Sequence, residues 1–146
     1  MKNKAMSRVY VSGPYSANNI TGILANMKRG IEISAQLLGV GLAPFCPWLD
    51  YHYSLHVSGL TVEDYYRYSL SWLSVSHCLY VLNGWEKSKG TLAEIKLAKQ
   101  LKIPIYYESE TSLNQLGVYL GVIYGHLVKL SKNWGKVRVN GKLIKF

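Results

Sequence analysis

The residue best placed for chemistry is Glu94, which follows the loop of residues 84–90 at the start of a predicted helix. Two interpretations are open. The run Thr91-Leu92-Ala93-Glu94 has the spacing of a capping box, in which Glu94 would accept a hydrogen bond from the Thr91 amide. Alternatively, the helix N-terminus favours the ionised form of Glu94, and an ionised carboxylate that faces a sugar can attack its anomeric carbon. Spacing alone does not separate a structural cap from a nucleophile.

The other carboxylates are sorted by their place relative to predicted helices and strands. Of the eight acids in the chain, Glu32 lies within the first predicted helix, away from the expected ligand edge. Four more are interpreted as charges that cap helices: Glu63, Asp64, Glu108 and Glu110. Asp50 and Glu86 therefore remain, with Glu94, as the acids near a ligand.

Two loops offer polar groups to an anion. The amides and hydroxyls of residues 88–91 lie at a predicted helix start, where phosphates bind, and Gly90 would let a ligand approach the backbone. Residues 12–16 read Ser-Gly-Pro-Tyr-Ser. They lack the GxGxxG and GxxxxGK spacings, so they are no dinucleotide or P-loop fingerprint, but they can contribute amides and hydroxyls.

Aromatic residues are dense after the second predicted strand, in a segment of residues 48–60 that we expect to be a long loop of the functional or mobile kind. The cluster comprises Trp48, Tyr51, Tyr53, Tyr65, Tyr66 and Tyr68. It is either core or a wall on which a base stacks. His52 and His56 have no acidic partner pattern, so we predict no metal site.

The order of elements predicts an α/β fold. Strands are expected at residues 8–12, 42–47, 78–82 and 104–107, the second irregular because it contains two prolines. Helices are expected at about residues 19–38, 61–75 and 91–102. Such alternation predicts a parallel sheet with helices on both faces and a ligand crevice at the carboxyl ends of the strands.

The last third of the chain differs from this pattern. A predicted helix of residues 113–130 carries Gly117, Gly121 and Gly125 at four-residue spacing, which favours close packing against another helix, within the chain or between subunits of a homo-oligomer. It is shorter than a membrane span and contains His126. Residues 137–144 read strand, Asn-Gly, strand, which predicts a β-hairpin.

Composition indicates one domain over residues 1–146, with a core of residues 8–107. No secretory signal is evident, and two cysteines in apolar runs, Cys46 and Cys78, favour a cytoplasmic protein. The formal charge is +9, with six basic residues and no acid after position 128. Such a tail can contact nucleic acid, but it has no recognisable nucleic-acid module, so a solvated basic surface is the preferred interpretation.

With these motifs in place, the chain resembles the nucleoside 2-deoxyribosyltransferase-like superfamily, and within it the small members that are common in bacteria and phages. The resemblance covers roughly residues 8–107. It lies in residues 9–16, the turn at residues 44–47, Trp72-Leu73, and most specifically the run of residues 84–98, GWEKSKGTLAEIKLA.

The resemblance implies a flavodoxin-like sheet and cleavage of an N-glycosidic bond in which Glu94 attacks C1′ of a 2′-deoxynucleoside. Transfer to a second base makes a transferase, and transfer to water a hydrolase. It further implies that Tyr10 orients Glu94. Transferases that act on free nucleosides carry Asp at the position of Ser88, so the serine makes this chain similar to the 2′-deoxynucleoside 5′-monophosphate N-glycosidases. No cofactor is implied. Family members commonly form homo-oligomers.

The ligand-binding residues predicted on these grounds are Ser12, Gly13, Pro14, Tyr15, Ser16, Trp48, Asp50, Trp85, Ser88, Gly90 and Thr91. Two positions depart from the family pattern, since Ser69 and His77 stand where relatives have Asp. If the missing acid protonates the departing base, another group must replace it: Asp50, His52 or a tyrosine. The alternative is a non-catalytic protein that binds and sequesters a nucleotide.

Overall fold

The computed structural model of the protein describes residues 5–120, 136–139 and 142–145. Its main sheet contains strands β1 (Arg8–Ser12), β2 (Ala43–Phe45), β3 (Cys78–Val81) and β4 (Ile105–Tyr107). The α-helices are α1 (Ile20–Gly39), α2 (Tyr51–His56), α3 (Val62–Ser74), α4 (Lys89–Gln100) and α5 (Leu113–Tyr119). Two short 3-10 helices, Pro47–Asp50 and Trp85–Lys87, precede α2 and α4.

The four strands form one parallel sheet in the order β2-β1-β3-β4. Strand β1 is central and pairs with both β2 and β3, with Tyr10 opposite Leu79 in the second pair. This is the strand order with which a flavodoxin-like sheet begins, and it confirms the predicted α/β class. The chain reverses its direction of winding between β1 and β3, so a crevice is expected at the carboxyl ends of those two strands.

Helices cover both faces of the sheet. Successive side chains of a strand point to opposite faces, and both faces of β1 carry buried residues. Val9 and Val11 belong to a buried cluster that includes Met27 of α1 and Leu116 of α5. On the other face, Tyr10 packs in a cluster that contains Leu73 of α3, with Ile95 and Ala98 of α4. The predicted helices on both faces are therefore confirmed. Strand β3 is buried over its whole length, as its continuous apolar run predicted.

Side-chain caps fix where the helices begin. Asn19 accepts a hydrogen bond from the Gly22 amide at the start of α1. Thr61 and Asp64 form a capping box at the start of α3, which confirms the capping role predicted for Asp64. The Ser88 side chain caps α4, which begins at Lys89, two residues earlier than predicted.

Two other sequence predictions were wrong. The expected loop of residues 48–60 contains the 3-10 helix Pro47–Asp50 and helix α2, since Pro47 occupies the first turn, where a missing N–H costs nothing. Glu108 does not cap a helix. Its Oε2 accepts hydrogen bonds from the Arg29 side chain and, at 2.7 Å, from the Asn83 amide, which ties the loop after β3 to α1.

The C-terminal predictions are only partly covered by the described residues. Helix α5 includes the buried Gly117, whereas Gly121 and Gly125 lie outside the described residues. Strands β5 (Lys136–Val139) and β6 (Lys142–Lys145) pair antiparallel, as predicted for the hairpin. None of the described helices is long and apolar enough to cross a membrane.

Candidate functional site

The carboxyl group of Glu94 is held by two hydroxyls from strand β1. The Tyr10 phenol donates a 2.6 Å hydrogen bond to Oε1, and the Ser12 hydroxyl donates to Oε2. Glu94 lies in the second turn of α4, and the capping position is Ser88. The capping-box interpretation of Glu94 was therefore wrong: its carboxyl group contacts the central strand instead of its own helix start.

Strand geometry explains why both hydroxyls reach the same carboxyl group. Tyr10 and Ser12 are two residues apart on β1, so their side chains point to the same face, the one that α4 covers. Both residues are buried. The alternation in Val-Tyr-Val-Ser thus places two apolar residues in one core and two hydroxyl donors beneath Glu94.

Burial has a strong effect on the electrostatics of this group. It raises the pKa of Glu94 to about 7, although the hydrogen bonds from Ser12 and Tyr10 act in the opposite direction. Desolvation therefore outweighs the groups that favour the ionised form of Glu94. Burial first, and then the Glu94 carboxylate, raise the pKa of Tyr10 well above its ordinary value, so this phenol stays protonated and donates.

A cavity of about 740 Å³ opens beside Glu94, at the carboxyl ends of β1 and β3. Besides Glu94, the predicted ligand-binding residues that line it are Gly13, Pro14, Tyr15, Ser16, Trp48, Asp50, Ser88, Gly90 and Thr91. Its size is that of a small-molecule site. The structure thus brings together nearly all of the residues selected from the sequence.

Two predicted ligand-binding residues do not line the cavity. Trp85 packs against Tyr107, with ring centroids 5.4 Å apart, because its 3-10 helix turns the indole toward the core shared by α3 and α4. Ser12 is buried, and its hydroxyl is used by Glu94. In the structure Ser12 thus contacts Glu94, and Trp85 packs against Tyr107.

The start of α4 presents donors to one end of the cavity. The Ser88 hydroxyl oxygen accepts hydrogen bonds from the Thr91 amide at 3.3 Å and the Thr91 hydroxyl at 3.0 Å. Its own proton is therefore available to a further partner. Lys87 and Lys89 flank Ser88 and also line the cavity. Sequence reasoning missed both lysines, although they stand on either side of the serine it selected.

Another part of the cavity wall is built on Trp48, which is only 2% exposed. Its Nε1 donates to the Pro14 carbonyl at 3.1 Å, and its ring lies directly on Gly30 of α1, where a Cβ would come within 2.2 Å of the ring. Trp48 therefore fixes the loop after β1 and offers little surface to a ligand. Next to it, burial raises the pKa of Asp50 to about 6.

The aromatic cluster, for which core and ligand wall were both open, divides between the cavity and internal packing. Tyr51, Tyr65 and Tyr66 line the cavity together with Tyr15. Tyr53 and Tyr68 do not line it and instead meet each other edge to face, with centroids 5.8 Å apart. Among the described residues, the Tyr65 hydroxyl is a buried polar atom without a hydrogen-bond partner, which suits a group that meets a ligand.

The two positions that depart from the family pattern have different places. Ser69 of α3 lines the cavity, and its hydroxyl opposes the rise in the pKa of the Tyr10 phenol. His77 lies just before β3, at the amino ends of the strands and so at the end of the sheet away from the cavity. Its Nδ1 accepts a 2.8 Å hydrogen bond from the Arg8 amide. Only the substitution at Ser69 therefore bears on the site.

Comparisons with known proteins agree with this architecture. A family model described as "Domain of unknown function (DUF4406)" matches residues 7–107. The chain belongs to the DUF4406 family. The matched region contains all four strands of the parallel sheet, together with Tyr10, Asp50, Ser88 and Glu94. The site is thus contained within the DUF4406 domain.

Among solved structures, the chain is similar to a 2-deoxyribosyltransferase from the psychrotolerant bacterium Bacillus psychrosaccharolyticus. The TM-score is 0.53 at 14% identity, over 69% of this chain and 71% of that chain. The likeness shows a common fold. The sequence matches no curated protein.

Proposed function

We propose that this protein cleaves or transfers the N-glycosidic bond of a 2′-deoxynucleoside 5′-monophosphate or a related nucleotide, with Glu94 as the nucleophile. One observation carries the proposal. The Glu94 carboxyl group is oriented by Tyr10 and Ser12 at the wall of a cavity large enough for a nucleotide. A buried carboxyl group with two fixed donors, open to a cleft, is typical of a reactive residue.

The chemistry follows that of a retaining glycosidase. A Glu94 oxygen forms a bond to C1′ of the sugar while the bond from C1′ to the base nitrogen breaks, and the electron pair of that bond leaves with the base. The product of this step is a glycosyl ester of Glu94. Attack on C1′ by water then breaks the ester bond, whose electron pair returns to the Glu94 carboxylate, and gives the free sugar phosphate. Attack by a second base breaks the same bond and gives a new nucleotide.

Tyr10 and Ser12 serve this reaction in two ways. They hold the two carboxyl oxygens in fixed directions, which reduces the entropy lost on reaching the transition state. Their hydrogen bonds also favour the ionised form of Glu94, which must carry a negative charge to attack. Because the pKa of Glu94 is about 7, a substantial fraction is ionised at neutral pH.

The phosphate is proposed to bind at the start of α4. Ser88 offers a hydroxyl proton, Lys87 and Lys89 supply positive charge, and the N-terminus of α4 favours an anion. A hydroxyl at Ser88 donates to a phosphate oxygen where a carboxylate would repel it. The proposed substrate is therefore a nucleoside phosphate and not a free nucleoside.

The structural neighbour supports the reaction class. That protein is described as a 2-deoxyribosyltransferase, and it shares the fold in which β1 and α4 place Tyr10 and Glu94 together here. Because the two sequences are only 14% identical, the similarity is evidence for a common fold and for nothing finer. The roles of Glu94 and Ser88 therefore rest on the geometry of this chain.

The proposal is tested by incubating the protein with each 2′-deoxynucleoside 5′-monophosphate and each 2′-deoxynucleoside, and measuring free base by chromatography. We expect release from at least one monophosphate, and its loss in Glu94→Ala. Glu86→Ala is the matched control, because Glu86 is exposed and does not line the cavity. Tight nucleotide binding without release from any compound would instead support the alternative, a nucleotide-binding protein.

A further inference from the structure

Among the residues that line the cavity, Asp50 is the one carboxyl group besides Glu94. The two acids lie on segments that follow the two different neighbours of β1 in the sheet. Asp50 ends the 3-10 helix that follows β2, whereas Ser88 and Glu94 follow β3. Because β1 lies between β2 and β3, the cavity has an Asp50 side and a Ser88 side. Glu94 contacts the end of β1, between the two.

This order matches the three parts of a nucleotide. If the phosphate binds beside Ser88 and the sugar meets Glu94, the base extends across β1 toward Asp50. Burial raises the pKa of Tyr15, and Asp50 and its neighbour Tyr51 lie close enough to raise it further. Two rings that suit a flat aromatic ligand, those of Tyr15 and Tyr51, therefore line the cavity on that side. Apart from Glu94, Asp50 is therefore the carboxyl group on the side of the cavity where the base would lie.

The surroundings of Asp50 make its carboxyl group easier to protonate than a carboxyl group in water. The titratable side chains on which the charge of Asp50 acts are the phenols of Tyr10, Tyr15 and Tyr68 and the thiol of Cys46, which are all uncharged at neutral pH. The ion pairs of the described residues join Lys28 to Glu32 and Arg29 to Glu108, so none of them engages Asp50. Burial without a counter-ion also raises the pKa of this carboxyl group to about 6.

We propose that Asp50 is the proton donor to the departing base. This inference rests on the proposed function. As the bond from C1′ to the base nitrogen breaks, its electron pair goes to the base, and the Asp50 carboxyl proton moves to a ring nitrogen of that base. In the second step, the Asp50 carboxylate takes a proton from the water, or from the incoming base, that attacks C1′. The residue is then protonated again for the next cycle.

The experiment compares Asp50→Asn with the wild-type protein on two substrates. The first is the deoxynucleoside monophosphate that the wild type cleaves. The second carries 4-nitrophenol in place of the base, on the same sugar phosphate, and 4-nitrophenolate departs without a proton. We expect Asp50→Asn to lower kcat/KM for the natural substrate by about 10²–10⁴-fold, the usual contribution of general acid catalysis, and for the second by less than about 10-fold.

Activity on the nitrophenyl substrate also shows that the variant is folded and binds the sugar phosphate. Asp64→Asn makes the same chemical change in the capping box of α3, outside the cavity, and should leave both rates near wild type. Equal losses of Asp50→Asn on the two substrates, or no loss on either, would overturn the role of Asp50 while the proposed function stands. A wild type that cleaves neither compound would overturn both.

Discussion

The Tyr10 phenol and Oε1 of Glu94 are 2.6 Å apart although 84 positions separate the two residues in sequence. This contact joins the central strand of the sheet to the helix that follows the third strand. It exists because parallel β1 and β3 are neighbours and α4 packs back over them. The fold thus brings a donor and an acid from distant segments into one site.

Removal of the Tyr10 hydroxyl is expected to move the pH profile. Because its hydrogen bond lowers the pKa of Glu94, Tyr10→Phe leaves more of the carboxyl group protonated. We expect the acid limb of kcat/KM to move to higher pH and the rate at pH 6 to fall about 10-fold, the effect of one lost hydrogen bond to a charged group. Kinetics across pH 5–9 measure both quantities.

Tyr80→Phe is the matched control for that substitution. Tyr80 is equally buried, and its phenol donates to the Thr111 carbonyl at 2.8 Å, on the other face of the sheet. Each variant should lose about 1 kcal/mol of unfolding free energy. An unchanged acid limb in Tyr10→Phe, or an equal displacement in Tyr80→Phe, would show that Tyr10 does not tune Glu94.

The raised pKa of Glu94 also makes a prediction about stability. The folded-state value of about 7 exceeds the ordinary value of 4.5, so the stabilising contribution of the protonated form is complete below pH 4.5 and is lost as pH rises through 7. Glu94→Gln has no such loss. Relative to wild type, it should therefore gain roughly 3 kcal/mol between pH 4 and pH 8 in urea unfolding. A difference that stays constant with pH would contradict the buried carboxyl group.

Substitution at Ser88 tests the phosphate site. Asp caps a helix as well as Ser, so Ser88→Asp should fold normally while placing a negative charge beside the phosphate. We expect kcat/KM for the monophosphate to fall about 100-fold or more, and that for the free nucleoside to change by only a few-fold. The same change at Ser112, the cap of α5, should affect neither. Equal losses on both substrates would argue against phosphate binding there.

The contact between Gly30 and Trp48 predicts a packing defect. A methyl group at position 30 would come within 2.2 Å of the indole ring, which is fixed by its bond to the Pro14 carbonyl. Gly30→Ala should lower the unfolding free energy by about 1–3 kcal/mol, although alanine is the better helix former. Denaturant unfolding measures this difference, and a more stable variant would disprove the close packing.

The sequence was sufficient for the architecture because its signals are local. The apolar run before the loop of residues 84–90 predicted β3, and Thr61 with Asp64 predicted the start of α3. The helix start at Lys89 was harder, because Ser88 and Thr91 are both good caps and spacing does not choose between them. In the structure Ser88 is the N-cap of α4, so Glu94 lies in the second turn and not at the capping-box position.

Residues that depend on tertiary packing were less predictable. Trp85 adjoins the most specific motif, yet only the position of Tyr107 shows that the indole faces the core. Lys87 and Lys89 look like ordinary surface charges until the cavity is seen beside them. The separation of Tyr53 and Tyr68 from the cavity likewise depends on how α2 meets α3, which no local pattern encodes.

The central claim is that Glu94 breaks a glycosidic bond, and the most direct measurement is trapping of the glycosyl ester. The protein is mixed with the nitrophenyl deoxyribose phosphate, quenched in acid, digested and analysed by mass spectrometry. We predict a deoxyribose phosphate adduct on the peptide that contains Glu94, and none in Glu94→Gln. Release of nitrophenolate with no adduct in the wild type, or with equal rates in wild type and Glu94→Gln, would contradict Glu94 as the nucleophile.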